Sequence, residues 1–527
     1  MRRLTVFLLL FLVKLSVAQE YTNRPLLPME RSLRWKLEQS AVAEGLHKTS
    51  AVLPYSHWHV EEVRSAADTT REVQGVNLGR LVNFRVQPLL NFTTFSMLSQ
   101  RTRSGHQFIG GVEASASLLD RWVAGITYDG GHMEYPRYME EIVDSLGVVP
   151  GWDYAAPNGK GSRFDRLGFT LGWKPSKHFE LFAGRGKHFI GEGYRTLFLS
   201  DYAPNYNYGR IDVNVWKLNY TVLYTQMDHT QDYSVRRFFP LESKYSTMHM
   251  LTVDATRWWT LGAFEAVVWE QEDSLIERGF DLNYLNPIIF FRPVEFGIGS
   301  SDNSLIGFSS TVRPTPTFHL YGQFLLDEFI FSEVTASIRN QFADSAEPTG
   351  SWTNKQAFQL GWKWFEPLGL KQGMWLAEFN FVRPYTYGHS APGQSFTHLN
   401  HPLAHPLGAN FIEWVTVFNW QPKRWVLNAE VTYARKGFST DAGYLGEDLL
   451  VSNILRAREY DNPMLQGRLV DVANVNMRAS RVVVKSWNLR AEAGIHYRFL
   501  RTPAEEVHGA VFSIGLRTAL WNEDRNL

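Results

Sequence analysis

The sequence predicts an all-β protein, a large closed antiparallel transmembrane β-barrel with a small helical element at its N-terminus. Three observations carry that prediction. The chain opens with an export leader. Its body is built of strands of about ten residues that alternate apolar and polar side chains. Past the leader, no apolar run approaches the roughly 18 residues that a spanning helix needs.

Met1 to Ala18 has the three parts of a signal peptide. Arg2 and Arg3 are the basic start, Leu4 to Val13 the apolar run, and Ser16-Val17-Ala18 the small-x-small cleavage site. Residues 19–77 are the least strand-like. Leu33, Trp35, Leu37 and Val42 give a loose helical stripe, with Arg34, Lys36, Glu38 and Glu44 as its polar face. A second helical stretch is expected from Val60 to Gln74. Residues 19–77 therefore read as a helical periplasmic segment, 78–521 as the barrel, and 522–527 as a polar tail.

The 53 basic and 53 acidic side chains give a net charge of +0, which removes the electrostatic case for nucleic acid. Cysteine is absent from the sequence, so no disulfide or thiolate metal site is expected. Aromatic residues reach 14%, with 18 Trp, as the interface girdles of a membrane barrel would require.

Alternation begins near residue 78 and persists to the end. Phe108, Val112, Ala114, Ala116 and Leu118 face one way, against Glu113, Ser115 and Ser117. Leu167, Phe169, Leu171 and Trp173 oppose Arg166 and Thr170. Trp216, Leu218, Tyr220, Val222 and Tyr224 oppose Lys217, Asn219, Thr221 and Thr225. Leu427 to Tyr433, Leu489 to Phe499 and Ala510 to Arg517 repeat the pattern. A soluble sandwich would alternate too. Here the polar faces carry many charges, as a wet lumen allows, and the apolar faces end in Tyr or Trp. Lys174 to Lys177 and Gln421 to Arg424 read as short periplasmic turns. Gly130 to Gly161, Gln271 to Asp302, Pro384 to Asn410 and Lys436 to Val482 read as long insertions outside or in the lumen.

Two insertions stand out. Between Phe182 and Tyr206 the chain breaks at Gly184, Gly186, Gly191 and Gly193, and Arg185, Lys187, His188, Glu192, Arg195 and Asp201 crowd the break. Such a segment must lie in water or a polar cavity. From Gly279 to Phe308, Asp281, Asn283, Asn286, Arg292, Glu295, Asp302 and Asn303 alternate with apolar residues that can anchor to a wall. Both are expected to constrict the lumen, and their planar polar groups beside aromatics suit sugar hydroxyls as well as a purely structural network.

No metal or cofactor is assigned. His389, His398, His401 and His405 lack helical context and a neighbouring carboxylate. There is no G-x-S-x-G, H-E-x-x-H or P-loop, so the chain is not read as an enzyme. Glu192 and Glu265 are the lumen carboxylates that an enzyme reading would have to test.

GRGKHFIGEGYRTLFLSD, DLNYLNPIIFFRPVEF with SSDNSLIGF, HLYGQFLLDEF and HPLAHPLGANFIEW resemble blocks of the Wzi-type capsule-assembly outer-membrane proteins. VPGWDYAAPNG (Val149 to Gly159) and SNILRAREYDNPMLQGR (Ser452 to Arg468) are more similar to their Bacteroidetes branch, which includes the gliding-motility protein RemB. The resemblance keeps block order over nearly the whole mature chain. It implies a barrel of about 16–18 strands, an even number as usual, in the outer membrane of a Gram-negative bacterium. It also implies a helical element on the periplasmic side and extracellular loops that hold surface polysaccharide; on the polysaccharide reading, long loops with Tyr385, Tyr387, Asn400 and Asn410 are expected to meet glycan. The alternatives are a structural partner of a gliding or secretion machine, with outer-membrane protein partners, and a porin-like channel. The barrel-insertion signal is expected around Phe512 to Trp521, inside the chain end.

Overall fold

The computed structural model describes residues 24–43, 51–67, 82–99, 103–152, 155–158, 160–229, 242–273, 276–277, 279–288, 302–328, 349–518 and 521–522. Among them, eighteen antiparallel strands close a barrel. They are β1 (Val82–Ser99), β2 (Arg103–Leu118), β3 (Trp122–Glu134), β4 (Gly161–Trp173), β5 (Phe179–Gly186) and β6 (Tyr206–Val215). There follow β7 (Leu218–His229), β8 (Glu242–Asp254), β9 (Trp259–Glu270), β10 (Asn303–Thr315), β11 (Phe318–Leu326) and β12 (Gln356–Phe365). The last six are β13 (Gly373–Val382), β14 (Phe411–Trp420), β15 (Trp425–Phe438), β16 (Arg468–Val484), β17 (Leu489–Arg501) and β18 (Glu506–Thr518). Each strand pairs with its neighbours in sequence, and β18 returns to β1 with Arg517 opposite Asn91. Closure leaves no sheet edge to satisfy in lipid.

The alternation sorts side chains as expected. Val112, Ile126, Leu167, Phe169, Ile495, Phe512 and Ile514 project outward, while Glu113, Asp129, Arg210, Asp212, Glu430, Arg490 and His496 are buried on the inner face. The tight turns joining β2–β3, β4–β5, β6–β7, β8–β9 and β14–β15 gather exposed Trp122, Trp173, Trp216, Trp258 and Trp425 at one end. Short turns with an interface girdle mark the periplasmic end.

One side of the interior is not polar. Leu223, Met248, Met250, Phe264, Ala266, Val268, Leu305 and Leu325 face inward from β7 to β11 and form an apolar half-wall. Strand β9 carries apolar residues on both faces, Phe264, Ala266 and Val268 inward and Val267 and Trp269 outward, which blurs its alternation.

The described helical residues of the N-terminal segment enter the periplasmic mouth. In α1 (Arg31–Ala43) the Glu30 carboxylate accepts the Leu33 N–H at 3.1 Å, capping the first turn. Trp35 then packs in one cluster with Phe365, Met374, Leu376, Val415 and Val417 of the inner wall. α2 (His57–Ala67) sets Trp58 against Phe182, centroids 5.8 Å apart. α3 (Arg137–Leu146) lies in the long β3–β4 connection at the opposite end. The leader, residues 68–81 and the tail from 523 lie outside the described residues. The insertion before β16 is shorter than expected, because the ladder already begins at Arg468.

Candidate functional site

The segment from Lys187 to Asn205 is a plug held across the lumen. At Gly191 φ is +149°, and a Cβ there would come within 2.6 Å of Gln323. A Cβ at Gly193 would meet Glu378 Oε2 at 2.1 Å. Those two glycines let the backbone lie against the wall. Glu378 then accepts the backbone N–H of Tyr194 at 2.9 Å and of Arg195 at 3.1 Å, and the Tyr321 hydroxyl at 2.9 Å. Asn380 donates to Glu378 at 2.9 Å and to Glu413 at 3.1 Å, and Gln359 donates to the Arg195 carbonyl at 3.2 Å. Arg195 reaches Glu413 at 3.4 Å. After Thr196, Leu197, Phe198 and Leu199 fill the apolar half-wall, with Phe198 stacked on Phe264 at 4.6 Å. The plug is polar where the wall is polar and apolar where it is apolar.

α1 locks the plug from below. Arg34 donates to the carbonyls of Gly191, Glu192 and Gly193 at 3.4, 3.1 and 3.3 Å and to Glu38 at 2.6 Å. Glu38 also pairs with Lys363 of β12 at 2.9 Å. Burial disfavours the Glu38 carboxylate, but Lys363 and Arg34 outweigh it and hold its pKa at about 2. On the plug, His188 is fully buried, and burial together with Arg210 pushes its ring well below the usual histidine range, so it is neutral. The Lys187 ammonium donates to the carbonyls of Gly151 at 2.6 Å and Asp201 at 3.1 Å. The Asp201 carboxylate accepts from Asn522 at 2.6 Å.

From the outer end, residues 383–410 also fold inward. Tyr387 donates to the Leu197 carbonyl at 2.9 Å, and Ser200 N–H to the Leu403 carbonyl at 2.7 Å. Tyr385, Tyr387 and Asn410 are fully buried and Asn400 is partly so, which corrects their expected place on glycan-facing loops. His398, His401 and His405 are buried with separate partners, among them the Asn205 carbonyl at 3.2 Å and Glu413 at 2.7 Å.

The Gly279 segment corrects a second expectation. Its described residues, 279–288, lie on the outer wall rather than in the lumen. Trp269, Tyr245 and Thr247 alternate outward on β9 and β8, and they carry it. Trp269 donates to the Gly279 carbonyl at 3.2 Å and Thr247 to that of Tyr284 at 3.1 Å. Tyr224 and Tyr220 donate to Leu285 and Pro287 at 2.9 and 2.7 Å. Tyr284 packs on Trp269 at 4.6 Å and donates to Asp302 at 2.6 Å. Asp281 caps the following turn through Asn283, whereas Asn283 and Asn286 are exposed. Glu265 stands opposite His249 on the same outward face, so it is not a lumen carboxylate. Arg185 likewise points outward, 3.4 Å from Asn207. Arg292 and Glu295 lie outside the described residues.

Cavities lie beside the plug and the helices among the described residues. One of about 210 Å³ lies between β2–β5 and the plug, lined by Glu113, Arg166, Lys187, Asp201, Tyr202 and Trp521. Trp521 turns inward from the last strand to Trp152, 5.3 Å away. Another, of about 420 Å³, opens at the periplasmic mouth beside Trp58, Lys174, Glu180 and Asp212.

The outer end carries a platform that sequence reasoning did not single out as a site. Arg456 lies over the Trp352 ring at 4.5 Å, Trp352 donates to Glu459 at 2.8 Å, and Arg456 pairs with Glu459. The Arg456 hydrogen bond keeps the Glu459 carboxyl below its ordinary range. Tyr460 and Leu455 are exposed beside them, and buried Tyr385 supports Trp352 edge-on at 6.0 Å. The run ILRAREYD was a signal in the sequence, but Trp352 is about a hundred residues away. Aromatic faces beside guanidinium and carboxylate groups are what sugar rings and hydroxyls bind.

No family model matches the chain, and no curated protein matches it by sequence. Solved structures do match. Wzi from Escherichia coli, an outer-membrane protein involved in group 1 capsule assembly and described as a carbohydrate-binding β-barrel, is 13% identical with a TM-score of 0.54. The match covers 93% of this chain and 98% of Wzi. OpdK from Pseudomonas aeruginosa (10% identity, TM-score 0.43) and OccAB2 from Acinetobacter baumannii (9%, 0.42) each cover 82% of this chain and 98% of their own. At these identities the likeness is one of fold. The chain is an outer-membrane-type β-barrel similar in fold to Wzi.

Proposed function

We propose that the protein is a non-enzymatic outer-membrane barrel that binds and organises capsular or exopolysaccharide at the cell surface. The observation that carries this reading is the Trp352–Arg456–Tyr460 platform at the outer end of a lumen filled by plug, helix and loop. A filled lumen favours holding a ligand over passing one. The fold shared with a carbohydrate-binding barrel supports the same reading. In this scheme residues 1–18 are removed on export, 19–77 are the helical segment, and 78–521 form the barrel.

The test is a glycan pull-down on the detergent-purified mature protein, with sugar analysis and protein partners read from one sample. Retained polysaccharide is expected. Trp352→Ala and Tyr460→Ala should each weaken retention about fivefold, since a stacked ring contributes roughly 1 kcal/mol. Retention unchanged in the double variant would remove the platform from the proposal. Stoichiometric protein partners without sugar would instead favour a gliding-motility or secretion role, and sustained single-channel conductance a porin-like one.

A further inference from the structure

The outer rim of β2 and β3 carries a polar group that none of the preceding functions uses. His132 and Glu134 are two residues apart on β3, and two residues apart on a strand means the same face. His106 belongs to the neighbouring strand β2, whose register sets Phe108 opposite His132. One ligand atom from each of His106, His132 and Glu134 lies within 4.8 Å of the others. His106 Nδ1 is 3.3 Å from Glu134 Oε2, and the two imidazole centroids are 5.8 Å apart.

A tetrahedral zinc ion with bonds of about 2.0–2.1 Å asks for roughly 3.3 Å between its ligand atoms. The His106–Glu134 pair already meets that spacing. The His132 ring has to close the remainder, and the exposed His106 side chain can turn toward it. Glu134 also accepts the His106 backbone N–H at 3.0 Å, which fixes the carboxylate while leaving lone pairs for a metal. Two imidazoles and one carboxylate form the donor set of open, three-ligand zinc sites. Just below, outward-facing Phe108 and Tyr128 are half exposed as part of the apolar belt, so the group stands where that belt ends. The exposed Arg163 lies across from His132 and suits an anionic fourth ligand.

We infer that His106, His132 and Glu134 form a site for a zinc-class divalent ion at the outer rim of the barrel, with its fourth position open. Binding there clamps β2 to β3 where β3 leaves the ladder.

The experiment uses tag-free, detergent-purified full barrel titrated with zinc by calorimetry, with cobalt(II) absorption as a second readout. Expected are a stoichiometry near one and tetrahedral cobalt bands. His132→Ala and Glu134→Gln should each weaken zinc binding at least about tenfold. Heat-modifiable gel migration checks that each variant barrel is folded. Zinc binding equal in wild type and the His106→Ala/His132→Ala double variant, or the absence of stoichiometric binding, would overturn the site.

Discussion

The plug (187–205) and the outer segment (279–288) are made of similar residues, yet they end on opposite sides of one wall. Both mix glycine or asparagine with charge and aromatics, and both were expected in the lumen. The plug meets inward-facing Glu378 and Gln323, which accept its backbone N–H groups, and Glu413, which pairs with the Arg195 guanidinium. The outer segment meets Trp269, Tyr245, Thr247 and Tyr220, which alternate outward. What decides the side is the parity of the strand residues that supply partners. The insertion's own composition does not decide it, because a strand's partners change face with every residue.

The largest test of that contrast is Glu378→Ala. It leaves two plug N–H groups and the Tyr321 hydroxyl without their acceptor, at a cost of about 1–3 kcal/mol for each buried group left unpaired. The plug should detach and single-channel conductance should rise well above wild type. A variant as closed as wild type means that other contacts hold the plug. Trp269→Ala should loosen the outer segment by about 3 kcal/mol, seen as faster proteolysis within 279–288. Conductance should not change, and any rise would place that segment in the lumen after all.

Acid should separate the regions next. Glu38 has its pKa held at about 2 when docked, against an ordinary 4.5. Its contribution is therefore complete above pH 4.5 and lost as pH falls toward 2. Conductance should rise over that window as α1 releases the plug, while proteolysis at 279–288 stays constant. A plug equally stable at pH 2.5 and 6 would discount the Glu38 pairs. The smallest effect is that of Tyr220→Phe, which removes one hydrogen bond to the outer segment, about 1 kcal/mol. A modest gain in protease cleavage there should register it.

Much of the barrel was legible. Period-two runs such as Phe108 to Leu118 and Ala510 to Arg517 gave strand, face and membrane in one reading, because lipid outside and polar groups inside impose opposite demands on alternate residues. Strand β9 was harder, since Phe264, Ala266 and Val268 face an apolar plug and leave no polar stripe to read. For the site, the plug's position was legible from its charges and glycines. The platform and the rim histidines were not, because each joins residues far apart in sequence, Trp352 with Arg456 and His106 with His132.

By itself the sequence determined the class of wall: alternating strands, aromatic ends, short turns on one side and long insertions on the other. Only the tertiary structure decided what fills the wall and what coats it. Tyr194 finds its hydrogen-bond partner on β13, Tyr284 on β8 and Arg34 on the plug backbone, groups that meet only in the folded barrel. A local pattern fixes which face a side chain takes, but closure fixes which distant groups share that face.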